Sequence, residues 1–328
     1  MLVIAGATGL TMLGGLGFVR QAQRRLNPVV ELLAQKQPVF GLYIPSNRRG
    51  GRGTPPPADA PPPKTPTELA QEALAYKTSD FIFDGTMEGD FDRAYSIFAE
   101  FTKGLVAAGG IYEKAPTLRL HHPMIVKAHE IAPDPKLAGE RIAKQLNLGV
   151  SGLMFVGVES ADEVKAGLAA MRFKSQGGTR PDDVGDAPTM WGMSEKDYKA
   201  KADLWPLNPK GELINWTIVE SKEGLKHVRE IAAVKGIGVL WPGAGTLRNV
   251  FSTTDSTGKR VLDEAGWEGA IQQVLAACKE FNVPCGYPAN ATDIETRMKQ
   301  GFNVFVMNWG DAGFKAVDVG RKASGRAQ

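Results

Sequence analysis

The sequence predicts an α/β protein, a closed TIM-type (β/α)8 barrel. Three observations predict it. From Val39 onward, short apolar runs alternate with amphipathic helical stretches, and there are eight such runs. The runs lack a strict polar alternation, as strands covered on both faces do. Polar and charged residues gather just after the runs, where barrels of this kind carry their chemistry. A doubly wound open sheet is the alternative, because closure is not written in a sequence.

In chain order, the first element is an uncharged stretch, residues 2–19 (LVIAGATGLTMLGGLGFV), followed by Arg20, Arg24 and Arg25. Its length suits the apolar region of an export signal or a membrane anchor. No basic residue precedes it, and its glycines make it a weak span. LVIAGATG also looks like a strand entering a phosphate-binding turn. Met12 stands where the third glycine of that fingerprint belongs, and Gly14, Gly15 and Gly17 would weaken the helix that must follow. We therefore read residues 1–26 as a signal or anchor segment. The product is then exported or membrane-anchored, and otherwise cytoplasmic. Residues 27–328 form the barrel domain.

The expected strands are Val39–Ile44, Phe81–Phe83, Thr117–Leu120, Gly152–Val158, Leu213–Val219, Gly238–Trp241, Cys285–Pro288 and Asn303–Met307. Helices are expected at Thr67–Ala75, Asp92–Ala108, Pro135–Gln145, Ala161–Met171, Lys222–Ala233, Gly266–Phe281 and Asp293–Lys299. Between the first strand and the first of these helices lies a Gly- then Pro-rich insertion, residues 48–67. Proline removes donors and glycine adds backbone entropy, so this stretch is expected as an exposed loop.

Composition narrows the function. The chain has 328 residues, 43% hydrophobic and 23% charged, with a net charge of +3. These are the values of an ordinary globular protein. They exclude a disordered chain and a polytopic membrane protein, and nothing in the charge asks for nucleic acid. Cys278 and Cys285 are too few for a disulfide scaffold or a cysteine zinc site and are expected as free thiols in the core. Any contact with a membrane is expected through residues 2–19 alone.

The strand ends carry the candidates. Asp84, Glu88 and Asp90 follow the second run, and Arg119, His121 and His122 end the third. Glu220 ends the fifth, and Pro242–Thr246 (PGAGT) follows the sixth. Carboxylates are hard ligands for a divalent cation. Arginine clamps a carboxylate with two hydrogen bonds. Glycines at Gly243 and Gly245, with Ala244, let backbone N–H groups approach an anion. His121 and His122 are adjacent, so on a strand only one can face inward.

These residues resemble the HpcH/HpaI aldolase family, metal-dependent pyruvate aldolases of the phosphoenolpyruvate/pyruvate TIM-barrel superfamily. The resemblance runs from about residue 27 to 324. It is carried by NPVVELLAQKQPVFGLYIPS, DFIFDG, TLRL, GLMFVGVESADEVKAGLAAMRF, INWTIVES, GIGVLWPGAG and GFNVFVMNWGDAGF. The resemblance implies that the arginine that binds the pyruvate carbonyl falls on Arg119, the metal-binding glutamate on Glu220 and an aspartate on Asp84. The catalytic histidine of a DGEH-like motif falls on Met87, and the second metal-ligating aspartate falls on Gly245. Glu88 or His121 would then have to replace the base.

The activity this resemblance implies is that of a carbon–carbon lyase. It would act on a 2-oxo acid such as a 4-hydroxy-2-oxo acid, through a pyruvate enolate held by Mg2+ or Mn2+ and by Arg119. The alternative is a diverged barrel that has lost the reaction and binds a small carboxylate or serves as a structural subunit. The resemblance further implies a homo-oligomer, a hexamer, with C-terminal helices packing across subunits; Phe314, Val317 and Val319 are few apolar residues for a lone C-terminal helix.

Overall fold

Alternate residues of each strand fill the inside of a cylinder in the computed structural model, which describes residues 24–47 and 62–326. The strands are β1 (Val39–Tyr43), β2 (Phe81–Asp84), β3 (Met124–Lys127), β4 (Gly152–Phe155), β5 (Leu213–Val219), β6 (Val239–Pro242), β7 (Gly286–Pro288) and β8 (Val304–Met307). All pair in parallel, in the order β7-β8-β1-β2-β3-β4-β5-β6. A parallel bridge between Leu240 and Cys285, with Leu240 N–H donating to Pro284 O at 2.9 Å, joins β6 to β7 and closes the ring. The predicted barrel is therefore the observed one.

The interior is a packed core, and small residues make room for large ones. A Cβ on Gly41 would lie 2.2 Å from the Phe81 ring, and one on Gly286 would lie 1.8 Å from Trp241. Trp216 stacks between Phe83 and Trp241, with centroids at 6.0 and 5.5 Å. Helix α1 (Pro28–Ala34) starts at an Asn27 cap, whose side chain accepts from Val29 N–H. It plugs the N-terminal end of the barrel with Val29, Val30 and Leu33, which pack with Val39, Phe81 and Ile214.

The surrounding helices follow their local signals. Helix α2 (Pro66–Ala75) begins with a Thr65–Glu68 capping box, and α3 (Phe91–Ala107) with an Asp90 cap. Helix α4 (Pro135–Asn147) and α5 (Ala161–Met171) lie close to expectation. The stretch expected as one helix, Lys222–Ala233, is two five-residue helices, Lys222–Lys226 and Val228–Ala232, divided at His227. Helices at Glu264–Phe281 and Ile294–Gln300 match expectation within a few residues. The C-terminal helix, Asp311–Ala323, packs on its own barrel through Gly313, Ala316, Val317 and Gly320, against β1 and β8. Among the described residues no helix is long and apolar enough to cross a membrane. The stretch 2–19 and most of the 48–67 insertion lie outside the described residues. The insertion's end, from Pro66, is the first turn of α2.

Two expectations are corrected. The third barrel strand is Met124–Lys127, not Thr117–Leu120. Arg119–Leu120 forms a two-residue antiparallel ladder with Tyr112–Glu113 instead. Both runs are apolar enough to be strands, but only Met124–Lys127 pairs with Ile82–Asp84 on one side and Gly152–Met154 on the other. Cys278 and Cys285 are not free: they form a disulfide, with Cα atoms 5.7 Å apart. Their burial was expected, but not that closure at Leu240–Cys285 sets Cys285 beside the end of the preceding helix.

Candidate active site at the C-terminal end of the barrel

Period two along a strand decides what faces the barrel axis. On β3, Ile125 is inside, so Lys127 follows it inward. On β5, Ile214, Trp216 and Ile218 are inside, so Glu220 follows. On β1, Val39 and Gly41 bring Tyr43 to the same level. Lys127, Glu220 and Tyr43 accordingly line one cavity of ≈ 200 Å³ with Phe83, Trp241 and Met154 among its walls. A second, acidic cavity of ≈ 520 Å³ adjoins it, lined by Glu88, Glu130, Glu159 and Glu163, and shares Glu220 and Thr246 with the first.

Lys127 is the cationic residue lining the inner cavity. Its side chain passes Gly85, where an added Cβ would lie 3.4 Å from the lysine Cδ and 3.6 Å from the Tyr43 ring. Its Nζ donates to Glu88 Oε2 at 2.6 Å. The Lys127 side chain is mostly buried, and Glu88 opens to the acidic cavity. Although Tyr43 is 36% exposed, desolvation together with the negative charges of Glu88 and Asp84 pushes its phenol up to about 12, and a tyrosine is in any case a neutral donor at physiological pH.

Glu88 sits on a short 3-10 turn, Thr86–Glu88. Asp84, at the end of β2, holds that turn. It accepts from Thr86 Oγ1 at 2.6 Å and from Thr86 N–H at 3.3 Å. His129 Nδ1 lies 3.1 Å from Glu88 O. Glu220 is buried, and its Oε1 accepts from Gly157 N–H at 3.0 Å. Gly243 is required beside it: a Cβ there would lie 2.3 Å from Glu220 Cβ. The Gly243 N–H donates to Val219 O, so it is not turned to an anion. Gly243, Ala244 and Gly245 do line the cavity, and around Gly245 a Cβ would meet nothing within 4 Å.

Of the residues expected in the site, Glu220, Glu88, Gly243, Ala244 and Gly245 come together, with Asp84 behind Glu88. Arg119 and His121 do not. Arg119 donates to Glu31 Oε2 at 2.6 Å and to Arg25 O, beside the α1 plug at the opposite end of the barrel. His121 and His122 precede β3 and lie at that same end. Their Nδ1 atoms are 2.5 Å apart, and His122 Nε2 lies 2.9 Å from Tyr76 O. The physical reason is the strand shift. Once Met124–Lys127 is the third strand, residues 119–122 belong before it, and the strand-end position expected for arginine is filled by Lys127. Met87, on which the resemblance sets a histidine, is fully buried, with Gln145 Nε2 3.5 Å from its sulfur.

A model of the HpcH/HpaI aldolase/citrate lyase family matches residues 124–310, more than half of the chain. The chain belongs to that family. The match begins at the first residue of β3. A comparison with curated protein sequences finds no relative. Among solved structures, a HpcH/HpaI aldolase/citrate lyase family protein from Burkholderia cenocepacia J2315 is 20% identical, with a TM-score of 0.62 over 90% of this chain and 97% of that one. A HpcH/HpaI aldolase from Desulfitobacterium hafniense DCB-2 is 14% identical, with a TM-score of 0.57 over 90% and 95% of the two chains. A citrate synthase, SbnG, is 16% identical, with a TM-score of 0.55 over 91% and 96%. At these identities the likeness is one of fold.

The expected Mg2+ or Mn2+ does not fit the residues at the HpcH/HpaI position. Glu220 stands there, one of its oxygens taken by the Gly157 amide, and Gly245 brings no side chain. Among the described residues no group of three or more His, Cys, Asp or Glu is placed to hold a metal ion. Affinity for hard cations follows the number of charged ligands. Sequence reasoning missed Lys127 and Tyr43. The signal for Lys127 was present: it closes the apolar run Met124–Val126, in phase with Ile125.

Proposed function

We propose that the chain is a carbon–carbon lyase acting on a small 2-oxo acid, such as a 4-hydroxy-2-oxo acid, bound with its carbonyl end in the inner cavity. The observation that carries this reading is Lys127 and Glu220 together in that cavity, at the strand ends of a barrel of this family. Cleaving the bond between C3 and C4 leaves an electron pair on C3, beside the carbonyl. A cation fixed near that carbonyl stabilises the developing negative charge, most effectively between low-dielectric walls. Lys127 is that cation. Glu220 takes the proton of the C4 hydroxyl as the bond breaks. The Tyr43 phenol donates to the substrate carboxylate. The cavity is smaller than the ~300 Å³ or more typical of drug-sized ligands, which suits a short acid.

The second reading is a barrel that binds a small carboxylate without cleaving it, or a structural subunit; the bare Gly245 position favours it. One experiment separates the two. Purified protein is assayed for pyruvate release from 4-hydroxy-2-oxo acids and oxaloacetate, with added divalent cations and with chelator. Calorimetry with pyruvate runs beside it. Turnover that is lost in Glu220→Ala supports the lyase. Pyruvate binding without turnover supports the binding protein. We further infer a homo-oligomer, hexameric by family resemblance, which light scattering tests. Export or anchoring through residues 2–19 is tested by fractionation of the full chain.

A further inference from the structure

We propose that Lys127 is a covalent amine catalyst, joining the carbonyl carbon of the 2-oxo acid as an iminium; the proposal rests on the 2-oxo acid reading above. The geometry sets the amine at the end of β3, in a cavity walled by Phe83, Met154 and Trp241. Two differences from the expected site point the same way. The carboxylate that would complete a cation site is missing at Gly245. The arginine expected at the third strand's end is a lysine. Arginine stays protonated and cannot attack carbon, whereas a lysine that loses its proton can. A proton acceptor is in place, since Glu88 Oε2 lies 2.6 Å from Nζ.

The sequence of steps balances. Glu88 accepts a proton from the Lys127 ammonium. The freed lone pair adds to C2 of the acid, forming the C–N bond, while the carbonyl π pair moves to oxygen, which takes the proton that the adduct nitrogen gives up. Glu88 returns its proton to that hydroxyl, which leaves as water as the restored nitrogen lone pair closes the C=N bond. The resulting iminium is an electron sink. When Glu220 removes the C4 hydroxyl proton, the O–H pair forms the aldehyde carbonyl, and the C3–C4 bond breaks. Its electrons spread over C3 and nitrogen as an enamine. C3 is then protonated, and water adds to the iminium, releasing pyruvate and the lysine amine. No oxidant or reductant is consumed.

The test is reductive trapping. Full-length protein is incubated with pyruvate and sodium cyanoborohydride, in the presence of a chelator, and the digested protein is analysed by mass spectrometry. Saturation-transfer NMR reports pyruvate binding separately, and 2-oxo acid cleavage is assayed on the same sample. The expected result is one adduct per chain on the peptide containing Lys127, absent in Lys127→Arg. Pyruvate binding or cleavage with no adduct on Lys127, or with adducts spread over surface lysines, overturns the amine mechanism and leaves the 2-oxo acid reading standing. Neither binding nor cleavage of any 2-oxo acid overturns both. Because the wild-type label decides the matter, a misfolded variant does not blur it.

Discussion

Lys127 and Glu88 meet at 2.6 Å at the C-terminal end of the barrel, the first from the end of β3 and the second from the turn that follows β2. Lys127 is fixed by the strand itself. Glu88 depends on the Asp84–Thr86 hydrogen bonds that shape its turn. Asp84 therefore acts through Glu88 and is a positioning residue.

Glu88→Gln keeps the size and a hydrogen-bond acceptor but removes the proton acceptor. We expect kcat on a 2-oxo acid to fall by roughly 10²–10⁴, the usual worth of a positioned general base, with KM changed little. Asp84→Asn should give a smaller loss in the same parameter. Steady-state kinetics check both, and a change confined to KM would count against this role for Glu88.

Arg119→Ala should weaken the fold and leave the chemistry alone. Its ion pair with Glu31 is largely buried, at 17% and 18% side-chain exposure, and it ties the ladder before β3 to the α1 plug. Removing one partner of such a pair strands the other, though Glu31 also keeps the Arg25 amide at 2.6 Å. A loss of about 1–3 kcal/mol is expected. Urea unfolding measures it. A large drop in kcat with unchanged stability would return Arg119 to the site.

The barrel was legible in the sequence because most strands are apolar runs with no competing neighbour. The exception shows where legibility ends. Thr117–Leu120 and Met124–Lys127 have similar local preference, and only pairing with Ile82–Asp84 and Gly152–Met154 chooses between them. Every residue of the site expected from that run moved with the choice. Glu220 survived because it follows the long, unambiguous run Leu213–Val219. Tyr43 was not legible, since an exposed tyrosine and a cavity tyrosine end a strand alike. The cysteine pair was not legible either, because its proximity is set by the closing strand and not by local sequence.

His122 should make the fold acid-sensitive. Burial, chiefly, lowers its pKa from 6.5 to about 4, with nearby His121 and Lys77 adding to the effect. The imidazole donates from Nε2 to Tyr76 O, so its Nδ1 accepts from His121. The folded state disfavours protonation, so the stabilisation is present above the unfolded pKa of about 6.5 and is lost as pH falls toward 4. The full shift is worth roughly 3 kcal/mol. Urea midpoints should drop between pH 6.5 and 4, and His122→Gln should flatten that limb. An unchanged slope in the variant would assign the acid limb to other groups.

Cys278 and Cys285 should resist alkylation in denaturant without reductant. Both are buried and bonded across a separation of seven residues. Closing a loop this short stabilises by about 2 kcal/mol in the chain-entropy model. Reduction in denaturant followed by refolding, or Cys278→Ser, should lower stability by about that amount and leave the barrel intact. Mass spectrometry that finds two alkylated thiols would show that the protein as isolated is reduced.

Gly245→Asp tests what the HpcH/HpaI cation site lacks. A Cβ at this position meets nothing within 4 Å, so the side chain enters open cavity. The residue lies in the first turn of the helix Ala244–Val250, where aspartate is tolerated and an acidic group is favoured by about 0.3–1 kcal/mol. The variant should therefore fold at least as well as the native chain. A second carboxylate on the cavity that Glu220 lines adds a full negative charge. At an effective dielectric of ~20 and a few ångströms this is worth up to a few kcal/mol toward a divalent cation. Calorimetry with Mn2+ should show binding at least roughly tenfold tighter in Gly245→Asp than in the native chain, and the double variant Gly245→Asp with Glu220→Gln should lose the gain. Equal Mn2+ affinity in all three proteins would mean that the two positions do not converge on one ion, and that the native cavity lacks more than one ligand.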